Sequence, residues 1–246
     1  MHTAPPVIEK ARAYLNIQLS RPAGLSGVHA ARPSQFITIS RECGSGGSSL
    51  AQLLAGHLNR VQPATDTQPP WTVFDQEVVQ HMLTAQDLSP TLARFLPEDR
   101  LPELTASVGE IIGLHPNLWD LVQRTNRFLH ELGQGGRVIL VGRGANFATR
   151  DVPGGIHVRM TAPPDHRDRH MARVMQCSQR EASAHNRRID GERRSYVRSV
   201  FDADVADALA YDLVINTARV GLDQAVTLIA SLVRLRAPAP ATAEAV

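Results

Sequence analysis

Residues 36–59 read FITISRECGSGGSSLAQLLAGHLN, which indicates a strand, a tight turn and a helix in succession. A β-branched apolar strand at 36–40 leads into a glycine-rich turn, and an apolar-periodic helix follows at about 47–59. Gly44, Gly46 and Gly47 let backbone N–H groups point inward, and the N-terminus of the helix adds partial positive charge. The segment therefore predicts a phosphate-binding loop, with an ordinary glycine-rich turn as the alternative.

The loop departs from the usual phosphate-loop motif at one position. That motif ends G-K-[ST], and its lysine reaches the transferred phosphates. Here Gly47 stands at the lysine position, and Ser48 and Ser49 follow it. One of these two serines is predicted to bind Mg²⁺ or to cap the helix. Lys10 is the only lysine, so arginine must supply the charge if the chain handles a nucleoside triphosphate. Arg41, just ahead of the loop, is the nearest arginine in sequence; an exposed strand-end arginine is the alternative.

Strands and helices alternate along the rest of the chain. The pattern predicts strands at 71–74, 137–142, 156–161 and 212–215, and helices at about 75–84, 103–113, 117–133, 164–176, 178–200 and 221–235. Such alternation predicts an α/β fold, with a parallel five-stranded sheet and helices on both faces. Two helical stretches, 75–133 and 164–200, are expected to enclose a site at the carboxyl ends of the strands.

The two ends of the chain are predicted to lie outside this core. An amphipathic helix at 7–19 falls within an N-terminal extension, residues 1–33, which is expected to pack on the domain or on a partner. An oligomer formed through this helix is one expectation. The domain itself is predicted to span 34–236, and the Pro- and Ala-rich residues 237–246 are predicted to be disordered.

The overall composition excludes several classes of function. A net charge of +2 over 246 residues argues against a dedicated nucleic-acid binder. No apolar stretch reaches membrane-spanning length, and the N-terminus lacks the apolar region of a signal peptide. Two cysteines are too few for a disulfide framework, so a cytoplasmic location is predicted. Nearly all the basic residues are arginine, which grips phosphate bidentately, although a GC-rich genome would produce the same bias.

Six segments, in this order along the chain, resemble the cytidylate kinase-like family, a branch of the P-loop nucleoside monophosphate kinases. They are ITISRECGSGGSSLA, FDQEVVQHM, VILVGRGANF, APPDHRDRHMARVM, RRIDGERRSY and YDLVINTARVGLDQAV. The resemblance runs from about residue 34 to 233. It implies a P-loop kinase core with a helical monophosphate-binding region at 75–133 and an arginine-bearing lid at 164–200. Members of this branch often carry a GSGG-like loop in place of GSGK.

The resemblance also implies an activity, the transfer of a phosphoryl group from ATP to CMP or dCMP with Mg²⁺. Nucleotides are then the expected partners. The donor phosphates are expected on the backbone of the loop residues Gly44, Ser45, Gly46, Gly47, Ser48 and Ser49. Two other functions stay open: a nucleotide-binding regulatory module without turnover, and a kinase for a different small acceptor.

Two residues at strand ends are predicted to contact the acceptor. In cytidylate kinases a similar G-R-D-I-G segment contributes an arginine to the monophosphate site, and Arg143 maps there, with Gly144 in place of the following aspartate. A surface arginine at the end of a strand is the alternative. Asp75 is predicted to orient Mg²⁺ through water, to accept a hydrogen bond from a substrate hydroxyl, or simply to cap the next helix.

The lid region is predicted to supply positive charge during the transfer. Phosphoryl transfer depends mainly on positioning and on electrostatic stabilisation of the transition state. Besides Arg41, the predicted catalytic residues are the lid arginines Arg173, Arg188 and Arg194. The alternative is a solvated, charged helix whose arginines pair with Glu181 and Glu192.

Overall fold

The computed structural model describes residues 6–19, 34–65, 68–75 and 116–237. In chain order, the helices and strands are α1 (Pro6–Leu19), β1 (Phe36–Arg41), α2 (Gly47–Val61), β2 (Thr72–Phe74), α3 (Pro116–Gly135), β3 (Val138–Val141), α4 (Ala145–Ala148), β4 (Gly155–Thr161), α5 (Pro164–Met175), α6 (Gln179–Phe201), a 3₁₀ turn (Ala208–Ala210), β5 (Leu213–Asn216) and α7 (Leu222–Arg236). The helices predicted at about 75–84 and 103–113 lie outside the described residues, apart from residue 75, and so does most of the C-terminal tail.

The five strands form one parallel sheet in the order β2-β3-β1-β4-β5. This confirms the predicted α/β fold, and each predicted strand agrees with the structure to within one residue at either end. The strand predicted at 137–142 is shorter because Arg137 and Gly142 have φ angles of 54° and 80°, which no β-strand accommodates. Helix α4 was not predicted, since its four residues are too few to show a period.

One face of the sheet is covered by α2 and α7. Side chains alternate along a strand, so Ile37 and Ile39 of β1 point to this face, as do Val158 and Met160 of β4. Helix α2 meets them with an apolar stripe, Leu50, Leu54 and Leu58, at a spacing of four residues. This layer fixes the start of α2, and with it the phosphate loop, against the end of β1.

The opposite face is covered by α1, α3 and α4. Phe36, Phe74 and Leu140 point to this side and form a second buried cluster. Tyr14 of α1 is buried there, and its hydroxyl donates a 2.6 Å hydrogen bond to the carbonyl oxygen of Gly136. The helix therefore packs against its own domain, while an oligomer formed through it stays a prediction.

Near the carboxyl ends of the strands this second face becomes polar. Thr38 and Ser40 follow Phe36 on the same side of β1. Their neighbours on the adjacent strand, β4, are His157 and Arg159. The Thr38 hydroxyl and His157 Nδ1 lie 2.8 Å apart. The sheet thus ends in a polar floor, and a site can form above it. Among the described helices, none combines the length and apolarity needed to cross a bilayer.

Candidate active site

The glycine-rich loop adopts backbone conformations that favour glycine. Gly44 and Gly46 have φ angles of 79° and 84°. A Cβ on Gly44 would lie 2.7 Å from the carbonyl oxygen of Arg167 in α5, so a side chain there is excluded by space as well as by φ. The N–H and hydroxyl groups of Ser45 both donate to the carbonyl oxygen of Glu42, at 3.2 and 2.8 Å, and close the turn.

Arg41 fills the space that the side chain of residue 47 would occupy. A Cβ on Gly47 would lie 2.9 Å from both Cβ and Cγ of Arg41. A Cβ on Gly142, in the turn after β3, would overlap Nη1 of Arg41. The Arg41 side chain therefore runs from β1 past the first residue of α2 to the end of β3. With Arg41 in this position, residue 47 has no space for a lysine.

The loop exchanges two residues of the usual motif. In the motif G-x₄-G-K-[ST], the first glycine corresponds to Arg41 and the lysine to Gly47. The long cationic side chain and the glycine have traded places across the loop. The positive charge enters from the strand instead of from the helix, and the glycine at 47 makes space for it.

Three guanidinium groups lie close together at this point. The pKa of Arg41 is lowered to about 10, first by burial and then by the charges of Arg193 and Arg143, whereas Asp75 and Cys43 act in the opposite direction. The carboxylate of Asp75 is thus near enough to Arg41 to act on its charge. Burial also raises the pKa of the Cys43 thiol above its ordinary value. An excess of buried positive charge favours an anionic ligand.

The turn after β3 holds Arg143 toward the sheet's carboxyl edge. Gly142, Arg143 and Gly144 have φ angles of 80°, 56° and 63°, three left-handed residues in succession. Such a conformation costs energy at a non-glycine residue and is often found at functional sites. A Cβ on Gly144 would overlap the ring of Phe201. Burial lowers the pKa of Arg143, and its Nε atom is buried without a hydrogen-bond partner.

Helices α5 and α6 are docked on the phosphate loop through Asp190. Its carboxylate accepts a 2.7 Å hydrogen bond from the N–H of Cys43 and forms a 2.7 Å ion pair with Nη1 of Arg167. Arg167 also lies 3.4 Å from Glu42 and donates to the carbonyl oxygen of Cys43 at 3.0 Å. Arg193 donates to the carbonyl oxygen of Arg41 at 3.2 Å. The region predicted as a lid is therefore held against the loop in this structure.

A cavity of about 530 Å³ opens beneath α6, at the carboxyl ends of β1, β3 and β4. This volume suits a small-molecule site. Arginine is the commonest residue of its wall, which includes Arg41, Arg143, Arg159, Arg167, Arg187, Arg193 and Arg194. Three acidic residues, Glu42, Asp190 and Glu192, only partly offset these charges. The cavity is therefore suited to an anion.

Residues 36–219 match the sequence model of the family described as the cytidylate kinase-like family. The chain belongs to the cytidylate kinase-like family. This confirms the resemblance, and with the sheet order it identifies a kinase-like, nucleotide-binding protein with a P-loop kinase fold. A search of the curated proteins gave no match.

Several solved structures are similar to this chain. An uncharacterised protein from Eubacterium ventriosum is 20% identical, with a TM-score of 0.61 over 82% of this chain and 99% of that one. Shikimate kinase from Bacteroides thetaiotaomicron is 15% identical, with a TM-score of 0.45 over 81% and 98% of the two chains. TT1252 from Thermus thermophilus is 18% identical, with a TM-score of 0.45 over 83% and 99%. At 20% identity, the likeness to the Eubacterium ventriosum protein concerns the fold alone.

In this family member, the structure brings only some of the predicted site residues together. Arg41, Arg143 and Arg194 line the cavity. Arg173 is exposed and outside the cavity wall, with Nε directed at the carbonyl oxygen of Arg169. Arg188 is also outside it and forms a 2.6 Å surface pair with Glu192. Catalytic roles for all of these arginines stay predictions.

The phosphate-loop residues lie beside the cavity but do not line it. Its wall reaches the loop region at Arg41 and Glu42, whereas Gly44 to Ser49 lie beyond them. Ser48 and Ser49 are exposed in the first turn of α2. Arg41 thus separates two places, the loop on one side and the cavity on the other.

Other site residues were not singled out by the sequence. Asp190 and Arg193 belong to the inward face of α6, together with Ala182, Asn186 and Val197, which are buried. The residues of that face recur at helical spacing. The apolar positions of the helix therefore indicated that Arg193 points inward and that Arg188 does not. Arg159 and Asn146 gave no such signal, because a polar residue in a strand or after a turn is usually exposed.

The buried pairing around Asp190 leads to a prediction on stability. Asp190→Asn keeps the shape of the side chain, but among the described residues it leaves Glu42, at 3.4 Å, as the one carboxylate in contact with the buried guanidinium of Arg167. Removal of one partner from a buried ion pair costs about 3 kcal/mol. We expect the free energy of unfolding, measured by urea denaturation, to fall by about that amount. Asp202→Asn is the control, since Asp202 is exposed and 3.9 Å from Arg198, and a change under about 0.5 kcal/mol is expected there. Equal effects of the two substitutions would contradict the prediction.

Proposed function

We propose that the protein is an ATP-dependent, Mg²⁺-requiring phosphotransferase of cytidylate kinase type, with CMP or dCMP as the acceptor. The observation that carries this proposal is the position of Arg41, whose side chain fills the space at the lysine position of the loop. A loop that had merely lost its lysine would lack a cation there. Here a cationic side chain of similar reach takes its place.

The loop residues fit the phosphates of a nucleotide. Gly44 and Gly46 hold the left-handed conformations that turn backbone N–H groups toward an anion, and the N-terminus of α2 begins directly after them. Ser48 or Ser49 would hold Mg²⁺, which keeps most of its water and takes few protein ligands. When bound, ATP supplies the phosphoryl group and Mg²⁺ neutralises part of its charge.

Arg41 and Arg194 are proposed to lie on different sides of the transferred phosphoryl group. Arg41 lies between the loop and the cavity, where donor and acceptor would meet, and Arg194 faces the cavity from α6. As the bond from phosphorus to ADP breaks, an oxygen of the acceptor phosphate forms the new bond. That oxygen is already ionised at neutral pH, so no general base is needed. The protein's task is then to position the groups and to offset negative charge.

Arg143 is proposed to hold the acceptor phosphate, and Asp75 to orient Mg²⁺ through water or to accept a hydrogen bond from a substrate hydroxyl. For Arg173 and Arg188 to reach the phosphates, α5 and α6 must move relative to the loop, because both side chains lie outside the cavity wall here. Their participation is therefore tied to a lid movement. Closure of the lid would also keep water from the phosphoryl group.

A second function is favoured by the contact at Cys43. Its backbone N–H, at the edge of the loop, donates to the carboxylate of Asp190 in α6 and so links the loop to that helix. A protein that binds nucleotide as a regulatory signal, without turnover, would keep the loop and use such a contact to report occupancy. A kinase for another small acceptor is the third alternative.

A coupled assay of ADP release distinguishes these functions. Purified protein is given ATP and Mg²⁺ with each of the ribo- and deoxyribonucleoside monophosphates, and calorimetry measures nucleotide binding in the same preparations. The proposal expects turnover with CMP or dCMP well above that with the other acceptors. Nucleotide binding without turnover on any acceptor would overturn it and support the regulatory module. Arg198→Gln, an exposed arginine of α6, is the matched control and is expected to behave as wild type.

A further inference from the structure

The cavity contains a further cationic position, formed by Arg159 of β4. Arg159 is only 7% exposed, and it lies on the sheet face opposite α2. Its Nη1 donates to the hydroxyl of Ser40 at 3.1 Å, and its guanidinium carbon lies 5.7 Å from the centre of the Tyr211 ring. Within the part of the chain that the structure describes, no carboxylate forms an ion pair with it.

Arg167, a guanidinium of the same cavity with similar burial, serves as a comparison for Arg159. It is 9% exposed, almost the same as Arg159, and it is paired with Glu42 and Asp190. A buried charge is costly unless an opposite charge or several hydrogen bonds compensate it. A hydroxyl and an aromatic face compensate Arg159 only in part. Since Arg159 lines the cavity, an anionic ligand is placed to complete its surroundings.

Asn146 gives an independent indication at the same cavity. Its side chain is 4% exposed, it lines the cavity, and its Nδ2 atom is buried without a hydrogen-bond partner. Buried amide donors are almost always bonded. An unbonded amide donor and an incompletely paired guanidinium require the same thing from a ligand, namely oxygen atoms that accept hydrogen bonds.

The position of Arg159 separates it from the phosphate-holding residues. Arg143 follows β3 and Arg159 lies in β4, with β1 between the two strands. Two strand spacings correspond to about 10 Å at the backbone. Val197 and Val205 contribute apolar wall to the same cavity. A ligand that reaches both arginines must therefore carry anionic groups at two ends of a short, partly apolar body.

We propose that the cavity also binds phosphorylated ligands with a second anionic group, a carboxylate or a phosphate, which Arg159 and Asn146 hold away from the reacting end. This inference rests on the proposed phosphotransferase function and goes beyond it. CMP carries its anionic group at one end only and leaves the position at Arg159 unfilled, so the inference defines the chemical class of a further ligand of this cavity.

Matched pairs of probes that differ by one anionic group test this inference. Calorimetry, in the presence of ADP and Mg²⁺, compares glycerol 3-phosphate with 3-phosphoglycerate, and glucitol 6-phosphate with 6-phosphogluconate. Fructose 6-phosphate and fructose 1,6-bisphosphate form a third pair, in which the added group is a phosphate. We expect the second group to tighten binding by about tenfold or more in a six-carbon pair. A difference in affinity within the first or second pair indicates a site for a carboxylate, and a difference within the third pair indicates a site for a phosphate.

Arg159→Gln should bring the two members of the responding pair to equal affinity and leave the probe with one anion unchanged. Asn146→Ala should reduce the preference in the same direction, and it decides the question if Arg159→Gln does not fold. Arg198→Gln is the matched control and should keep the full preference. Equal affinities in every pair of the wild-type protein, or a preference that survives in both variants, would overturn the inference. Failure of the proposed function shows separately, as absence of turnover in the coupled assay, whatever the affinities of the probes.

Discussion

Arg41→Met is expected to lower the rate of phosphoryl transfer by about a thousandfold, since a cation at the transferred group contributes at least that much in related chemistry. The same variant should unfold no more easily than wild type when no nucleotide is present. Burial and the nearby charges of Arg193 and Arg143 disfavour the charged form of Arg41 in the folded protein. Methionine fills similar space without that cost.

The sign of the pH dependence follows from the lowered pKa of Arg41. The folded protein holds this proton less tightly than the unfolded chain, so the charged side chain reduces stability at every pH below about 10. Any gain in thermal stability of Arg41→Met should therefore be present at neutral pH and shrink above pH 10. Arg198→Met, at an exposed position of α6, is the control for loss of charge. Wild-type turnover of Arg41→Met would contradict the proposed role.

The exchange between positions 41 and 47 gives a sharper form of this experiment. Gly47→Lys alone should fail, because its side chain would collide with the stem of Arg41. Arg41→Gly alone should fail for lack of a cation. The double variant, Arg41→Gly with Gly47→Lys, restores the usual motif and should recover turnover over either single variant. The effects of the two substitutions on turnover are then non-additive, as expected when two side chains compete for the same volume and supply the same charge.

Arg143→Gln is expected to raise the KM for the acceptor by about a hundredfold, with a smaller effect on kcat. A charge-assisted, bidentate contact to phosphate has a contribution of that size, and it is made in the ground state as well as in the transition state. Steady-state kinetics with the acceptor varied at saturating ATP measures both constants. Arg150→Gln, an exposed residue of the same connecting segment, is the control. An unchanged KM would remove Arg143 from the acceptor site.

The fold was predictable because its signals are local and agree with one another. Apolar, β-branched runs such as 138–141 are typical of strands covered on both faces, and Leu50, Leu54 and Leu58 repeat at helical spacing. A strand and a helix on either side of the loop glycines favour a phosphate-binding loop over the alternative of an ordinary turn. Because the strand, helix and turn signals agree with one another, the sequence predicted the position of every strand of the sheet.

The site was predictable only in outline, because arginine carries no directional signal in the sequence. Its long side chain reaches solvent or a cavity from almost any helix position, so arginine alone does not distinguish the four candidates on α6. Only the spacing of the apolar positions, such as Ala182 and Val197, favours Arg193 over Arg188. Arg159 was missed for a related reason. A charged residue in a strand suggests an exposed face, and only the position of β4 between β1 and β5 shows that it is buried.

The Arg41 side chain, wedged between Gly47 and Gly142, also restricts how such a loop can arise in evolution. A lineage with lysine at 47 that first gains arginine at 41 meets a steric collision, and one that first loses the lysine has no cation. Gly142 adds a third requirement, since a side chain there would displace the guanidinium. On the proposed role of Arg41, we expect the intermediates between the two kinds of loop to be unfit, and each kind to persist within its branch of descent.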